Sequence, residues 1–397
     1  MTTITTVYHN NRRTITYALY AIGLIALLLL IVPLLGSQRP YRLVQSTVTG
    51  VLVGGVYALI ALGIVVINKA SGVFNFAQGW MMLLGGLVFY TFFSSASSIS
   101  PLAALALSVL TGLMVITTNS WRALRNPRSL AVAAGIAAFG FIALMIGGDS
   151  LKLLRAIIGA VYGAVLTGLT IERFAIRPLI GQPLFAMVLM TLALSELLHG
   201  ITQMIWGSVE IPLQVFTGLS QLGIPMPFRI QATDTLGGTI IIRTELLVAF
   251  LLSLLAFAAF VGFFRYTSVG LAMRATAENQ KLAQSVGLRV RTILAVAWAI
   301  ASLLAAVAGV LQGGASSLSL NMPLLALSAF PAVLLGGLES IPGALLGGLI
   351  IGLVQEFANL MFPGTQAGTE LAPYLVLMVV LVIRPDGLFG QRRIERI

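Results

Sequence analysis

Cysteine is absent from the 397 residues, which excludes disulfides, thiolate metal sites and a cysteine nucleophile. Histidine is nearly absent, with only His9 and His199, too few for a histidine metal centre. No Walker A pattern and no HExxH occurs, so nucleotide hydrolysis and zinc-peptidase chemistry lie outside this chain. Charge is scarce at 9% against a hydrophobic share of 58%. That much apolar surface exceeds what one soluble core buries and belongs in a bilayer. With no catalytic constellation, the chain reads as a non-enzyme without cofactor or metal.

What is present is a succession of apolar runs near the roughly 20 residues needed to cross hydrocarbon. They predict an all-α, polytopic bundle of about 11–12 spans: Thr14 to Leu35, Val44 to Ile67, Ala77 to Phe93, Pro101 to Thr117, Leu130 to Gly147, Leu153 to Ile171, Pro183 to Trp206, Thr244 to Phe264, Thr292 to Gly313, Leu324 to Leu338, Gly343 to Met361 and Leu371 to Ile383. The tenth is short and contains Pro331, so it is expected to be kinked or re-entrant. Arg12 and Arg13 precede the first run as in a secretion signal. The run is long and leads into further spans, so an uncleaved anchor is the reading.

Twenty-three Lys and Arg against twelve acids would suggest nucleic acid in a soluble protein. Their positions give another cause. With the N-terminus inside, the outer segments hold Arg39, Arg42, Lys152, Arg155, Arg229 and Arg243, and every other Lys and Arg falls inside. Cytoplasmic loops retain positive charge, so both termini are expected in the cytoplasm of a bacterial inner membrane, with lipid rather than nucleic acid as the surrounding partner.

Two polar segments interrupt the apolar background. Gly207 to Arg243, with Pro212, Pro225, Pro227 and the pair Gly237 and Gly238, reads as an external loop holding a short strand or hairpin. Arg265 to Arg291 is cytoplasmic and helical in pattern from Ser268 to Ser285, with Gly287 as a C-terminal cap. Its small residues Ala275, Ala277 and Ala283 beside Glu278 suit docking on a cytoplasmic partner, although a solvated loop helix has the same composition. Glycine pairs at helical spacing, Gly50 with Gly54, Gly343 with Gly347 and Gly348 with Gly352, allow close backbone approach, with packing the leading reading over a lined pathway. No tandem period is evident.

Ionisable or polar groups within spans are candidate functional residues. Glu196 has His199 one turn on, and Glu356 follows Gln355. A polar pathway or proton relay competes with an interhelical hydrogen bond or an acid near the outer surface. Asn68, Asn75, Phe76 and Gln78 lie in NKASGVFNFAQGW, read either as a broken stretch at the inner mouth of a pathway or as a cytoplasmic turn.

The stretch from Gly50 to Gly86, GVLVGGVYALIALGIVVINKASGVFNFAQGWMMLLGG, resembles the signature of permeases of the high-affinity branched-chain amino acid ABC uptake family. IERFAIRP from Ile171, the segment Arg265 to Leu288, GGLESIPGALLGGLIIG from Gly336 and RPDGLFG from Arg384 resemble the same family in the same order. The resemblance implies a permease translocating branched-chain or other amino acids, working with a second related permease, cytoplasmic ATP-binding subunits and an extracytoplasmic solute-binding protein. It implies a coupling helix near 268–288, with Arg274, Ala277, Glu278 and Gly287 as ATPase-coupling residues. Related urea and short-chain amide permeases share these motifs, and an ion-coupled secondary transporter using Glu196 or Glu356 is the alternative of another class. Two departures from the family set the expected organisation: an added first span in residues 1–43 and a two-helix insertion at 101–150, dividing a permease core of 44–100 and 151–397.

Overall fold

The computed structural model describes residues 36, 39–94, 99–145, 149–208, 210–218, 223–278, 280–364, 366–384 and 386–390. The helices are α1 (Pro40–Ser71), α2 (Gln78–Phe93), α3 (Pro101–Thr117), α4 (Pro127–Met145), α5 (Lys152–Thr170), α6 (Leu184–Trp206), α7 (Thr244–Tyr266), α8 (Ser268–Glu278), α9 (Gln280–Ser285), α10 (Val290–Ala315), α11 (Leu324–Gly336), α12 (Ile341–Met361) and α13 (Gln366–Ile383). Between α6 and α7 an antiparallel pair, β1 (Phe228–Ala232) and β2 (Gly238–Ile242), is in register Phe228 with Ile242, as expected of a short external hairpin. Among the described residues, seven helices are long and apolar enough to cross a membrane, and four shorter apolar ones accompany them. They coincide with the eleven spans expected from Val44 onward. The expected first span, Thr14 to Leu35, lies outside the described residues.

Helix α1 is the central post. Pro40 at its start supplies a preset φ and needs no amide donor, and its 32 residues rise about 48 Å, well beyond the hydrocarbon thickness. From Val56 to Ile67 every residue is buried. A helix apolar all round has no solvent face, and this one is enclosed on all sides. Its closest neighbour is α12, antiparallel to it. Gly50 and Gly54 face Leu353 and Leu349, while Gly348 and Gly352 face Ala58 and Gly54. A Cβ at Gly54 would lie 2.8 Å from the Leu349 Cα, so the glycine pairs bring two backbones into contact.

The two ends of the bundle are defined by contacts. At one end Lys69 Nζ donates to the Glu339 carbonyl at 3.1 Å, Arg177 donates to the Thr118 carbonyl at 2.9 Å, and Thr292 meets Asn119. At the other, Gln45 bonds both ways with the Ile241 backbone at 2.7 Å, and Trp206 donates to Thr91 at 3.0 Å. The first end carries Lys69, Arg122, Arg125, Arg128, Arg177, Arg265, Arg289 and Arg291 and is therefore cytoplasmic. Helices α3 and α4 form a hairpin whose close contact is Gly112 against the Ala133 carbonyl. It packs on α5, where Thr111 donates to the Tyr162 carbonyl and Tyr162 donates to that of Ile136. Its other faces expose Leu102, Leu105, Leu110, Val132, Phe139 and Ile142.

Candidate translocation and coupling sites

The polar stretch after α1 is a break between two helices, mostly buried in the bundle. Gly72, at φ 71°, caps α1 by donating to the Asn68 carbonyl at 2.7 Å. The chain then runs extended and mostly buried until Asn75 Oδ1 accepts from the Ala77 amide at 3.1 Å and turns it into α2. The Gln78 side chain lies against Gly63, eight residues before the end of α1 at Ser71, about 12 Å into the bundle. Helix α2 therefore begins at depth. So does α11, because Pro323 at its start packs on Gly79. At 16 and 13 residues these helices rise about 24 and 20 Å, short of a full crossing. The remaining depth is non-helical backbone buried in protein, the setting in which a bilayer tolerates it.

The expected pathway residues are not brought into one channel. Asn75 and Gln78 are 0% exposed. Asn75 Nδ2 donates to Gln78 Oε1 at 3.0 Å and to Met81 Sδ at 3.2 Å, while Gln78 Nε2 has no hydrogen-bond partner among the described residues. Phe76 stacks into a cluster with Phe74 and Phe330, with centroids 5.1 to 6.1 Å apart, and Asn68 is half-buried beneath the cap. These residues shape the core of the subunit. Glu356 is half-buried near the outer end of α12, where the neighbouring Gln355 hydrogen-bonds Tyr57 of α1.

Glu196 is placed differently. It lies at the middle of α6 with its side chain 81% exposed and 3.6 Å from His199 Nδ1. His199 in turn stacks on Trp80 of α2 with centroids 4.3 Å apart. Phe185, Leu189 and Leu192, exposed at helical spacing, share the Glu196 face. A carboxylate at mid-bilayer facing lipid costs about 3 kcal/mol or more. This face is therefore suited to protein or water rather than to acyl chains.

On the cytoplasmic side the described residues of the expected helix from Ser268 to Ser285 are helical, as α8 and α9. The first is clamped from within: Arg274 donates to the Phe264 carbonyl and stands 5.3 Å from the Phe264 ring, and Met273 and Thr276 are buried. Ala283 is buried, Ala277 is half-buried, and Glu278 is exposed. The second ends in a Schellman turn, with Leu288 donating to the Ala283 carbonyl and Gly287 to that of Gln284, both at 3.0 Å. Gly287 adopts φ 87° there. Away from the bundle α8 and α9 expose the large apolar side chains of Leu271, Leu282 and Val286, at 61%, 63% and 71%.

A second buried arrangement was not singled out from sequence as a site. The chain after α5 winds as a π-helix, Ile171–Ile176, and Glu172, 1% exposed, receives a two-pronged bond from Arg177, Nε to Oε1 at 2.9 Å and Nη2 to Oε2 at 2.6 Å. Arg173 and Arg177 also donate to the carbonyls of Thr117 and Thr118 at the end of α3. One carboxylate and two guanidiniums thus satisfy the helix end of the hairpin and fix it to α5. The block IERFAIRP was the only signal. On the outer side, Ile211 pairs with Leu318, and Ser317 bonds Glu210, so the external loop is tied to the link between α10 and α11.

The family model described as branched-chain amino acid transport system, permease component, matches residues 128–383. The high-affinity branched-chain amino acid transport system permease protein LivH of Salmonella typhimurium is 28% identical over 365 residues, covering 91% of this chain and 100% of the relative. The LivH protein of Escherichia coli matches to the same extent. The corresponding permease protein BraD of Pseudomonas aeruginosa is 27% identical over 362 residues, 90% of this chain and 99% of the relative. No solved structure matches.

Proposed function

Because the chain belongs to the family of permease components of branched-chain amino acid transport systems, we propose that it carries branched-chain amino acids across the inner membrane with energy supplied by ATP-binding subunits docked on α8 and α9. It is a polytopic membrane permease subunit of an amino acid importer. The observation that carries the coupling reading is the clamped helical segment of α8 and α9 itself. Its inner side is locked to Phe264 through Arg274, while Leu271, Glu278 and Val286 face the cytoplasm. A docking element must be rigid on the transmitting side and apolar on the receiving side, and this pair is both. Glu278 and Gly287 then act at the ATPase contact, Arg274 and Ala277 behind it.

The Glu196 face of α6 is proposed as the contact with a second, related permease and as one wall of the pathway. The branched-chain substrate is supported by the relatives, and the external loop tied to Leu318 is proposed as the seat of a solute-binding protein. Asn75, Phe76 and Gln78 set the break between α1 and α2, through which α11 can respond to motion at the pathway. The test is uptake of labelled leucine and labelled urea by the reconstituted complex, wild type and Leu271→Asp/Val286→Asp. Leucine uptake that falls at least tenfold in the variant, with the subunit still inserted, is the expected result. Unchanged uptake would remove the docking assignment, and urea carried in preference to leucine would remove the substrate.

A further inference from the structure

The cytoplasmic tip of the α3–α4 hairpin carries Arg122, Arg125 and Arg128, all exposed, and no acid between Asn119 and Leu130. Trp121, Leu124 and Leu130 are exposed among them, an alternation of cations and apolar side chains typical of the depth at which a helix leaves hydrocarbon. The tip is ordered. Ser120 Oγ accepts from the Arg122 amide at 3.2 Å, Asn126 Oδ1 accepts from that of Arg128 at 3.0 Å, and the Arg173 guanidinium lies 3.9 Å from the centre of the Trp121 ring.

The hydrogen bond between Asn119 and Thr292 joins this tip to the start of α10, across 173 residues of sequence. Between the two lies a cleft of about 450 Å³ lined by Asn119, Gln284, Arg289, Val290, Arg291 and Thr292. Its walls hold guanidinium, amide and hydroxyl groups and no carboxylate. Glu172, the acid whose charge Arg291 feels, has both oxygens taken by Arg177. None of Arg122, Arg125, Arg128, Arg289 and Arg291 forms an ion pair among the described residues.

We infer that the arginine tip and this cleft hold the phosphate of an anionic phospholipid headgroup from the inner leaflet. Topology alone places arginines in cytoplasmic loops. It does not gather two distant stretches around one acid-free cleft. Guanidinium forks match phosphate oxygens in pairs, and basic pockets between membrane helices at the cytoplasmic side are suited to such headgroups. A lipid fits better than an acidic protein surface, because the hairpin packs on α5 while its remaining faces are apolar and exposed. The tip is thus bordered by the bilayer. The site adjoins Gln284 and the Schellman turn of α9, so an occupied cleft steadies the end of the docking pair.

The test uses the full complex, purified from mixed phosphatidylcholine and phosphatidylglycerol, with bound lipid read by native mass spectrometry. Wild type is expected to retain phosphatidylglycerol selectively. The quadruple variant Arg122→Gln/Arg125→Gln/Arg289→Gln/Arg291→Gln is expected to lose that selectivity, each arginine contributing about fivefold, while Arg39→Gln/Arg42→Gln on the outer face leaves it unchanged. Equal retention by the quadruple variant and wild type overturns the inference. Displacement of the lipid by millimolar inorganic phosphate would assign the cleft to a free phosphate ligand instead. Loss of the ATP-binding subunit with lipid retention intact would assign it to protein contact, and either result overturns the lipid reading.

Discussion

Gly287 offers the sharpest test of how the docking pair is held. It sits at φ 87° with no atom of the described residues within 4 Å of where a Cβ would stand, so within the subunit a side chain there meets no obstacle and the effect on the turn is conformational. An L-residue in the left-handed region costs about 1–2 kcal/mol. A β-branched residue is a more severe outlier there, whereas Asn is tolerated. A cost of 1–2 kcal/mol shifts the balance between the capped and uncapped turn about 5- to 30-fold. Uncapping releases the Leu288 and Gly287 amides from Ala283 and Gln284 and loosens Val286 at the docking face. Gly287→Val is therefore expected to reduce leucine uptake while leaving ATP hydrolysis measurable, a loss of coupling between the two. Gly287→Asn should recover most of it. The assay is uptake against ATP hydrolysed in proteoliposomes. If Val and Asn behave alike, or if Val couples as well as Gly, the turn is not what positions α9 and the reasoning fails.

Gly348→Leu forces a side chain into the Ala58 backbone and is expected to cost about 1–3 kcal/mol by overpacking, seen as a lower thermal midpoint in nanodiscs. Gly135→Leu, exposed in α4 and with no neighbour within 4 Å among the described residues, should shift that midpoint less. Glu172→Gln removes the charge that Arg177 grips and should destabilise by about 2 kcal/mol, below the range for fully enclosed pairs, because Arg177 keeps its bond to Thr118 and some exposure; an unchanged midpoint would contradict the lock. The absence of native cysteine in this chain makes single cysteines clean probes. Leu192→Cys on the Glu196 face is expected to cross-link to a second permease subunit and Phe139→Cys on the outer hairpin is not, so the reverse pattern would move the interface.

Much of the architecture was legible because hydrocarbon imposes a length and a polarity on every crossing element. The limits of α3, Pro101 to Thr117, coincide with the apolar run, as does the start of α7, while the end of α7 and both ends of α10 lie two residues beyond theirs. The charge asymmetry oriented the bundle for the same reason. What hydropathy does not carry is the direction a side chain faces within the membrane, since lipid and protein interior are alike apolar. Gln78 and Glu196 are both polar residues in apolar runs, yet one is 0% exposed against Gly63 and the other looks outward from α6. The Glu172 and Arg177 pair escaped for a related reason. Charges at the inner end of a span read as solvated, and their burial arises only because the end of α3 folds over them.

That lock bears on how the α3–α4 hairpin moves with the rest of the permease. A helix pair packed only on α5 would be a lever on the core if it moved, yet its inner end is fixed where movement would matter most. Arg173 and Arg177 hold the α3 carbonyls, and Asn119 holds Thr292. Thr292 lies in the first turn of α10, directly after the segment that caps α9. The hairpin is thus joined to the beginning of the helix that follows the docking pair. Displacement of α8 and α9 by a cytoplasmic partner must pass through Arg289 to Thr292 before it reaches α10. A headgroup held at the same place resists that displacement with several charge-assisted bonds. The α3–α4 hairpin then adjusts how stiffly the proposed coupling segment is anchored, and leaves the Glu196 face of α6 untouched.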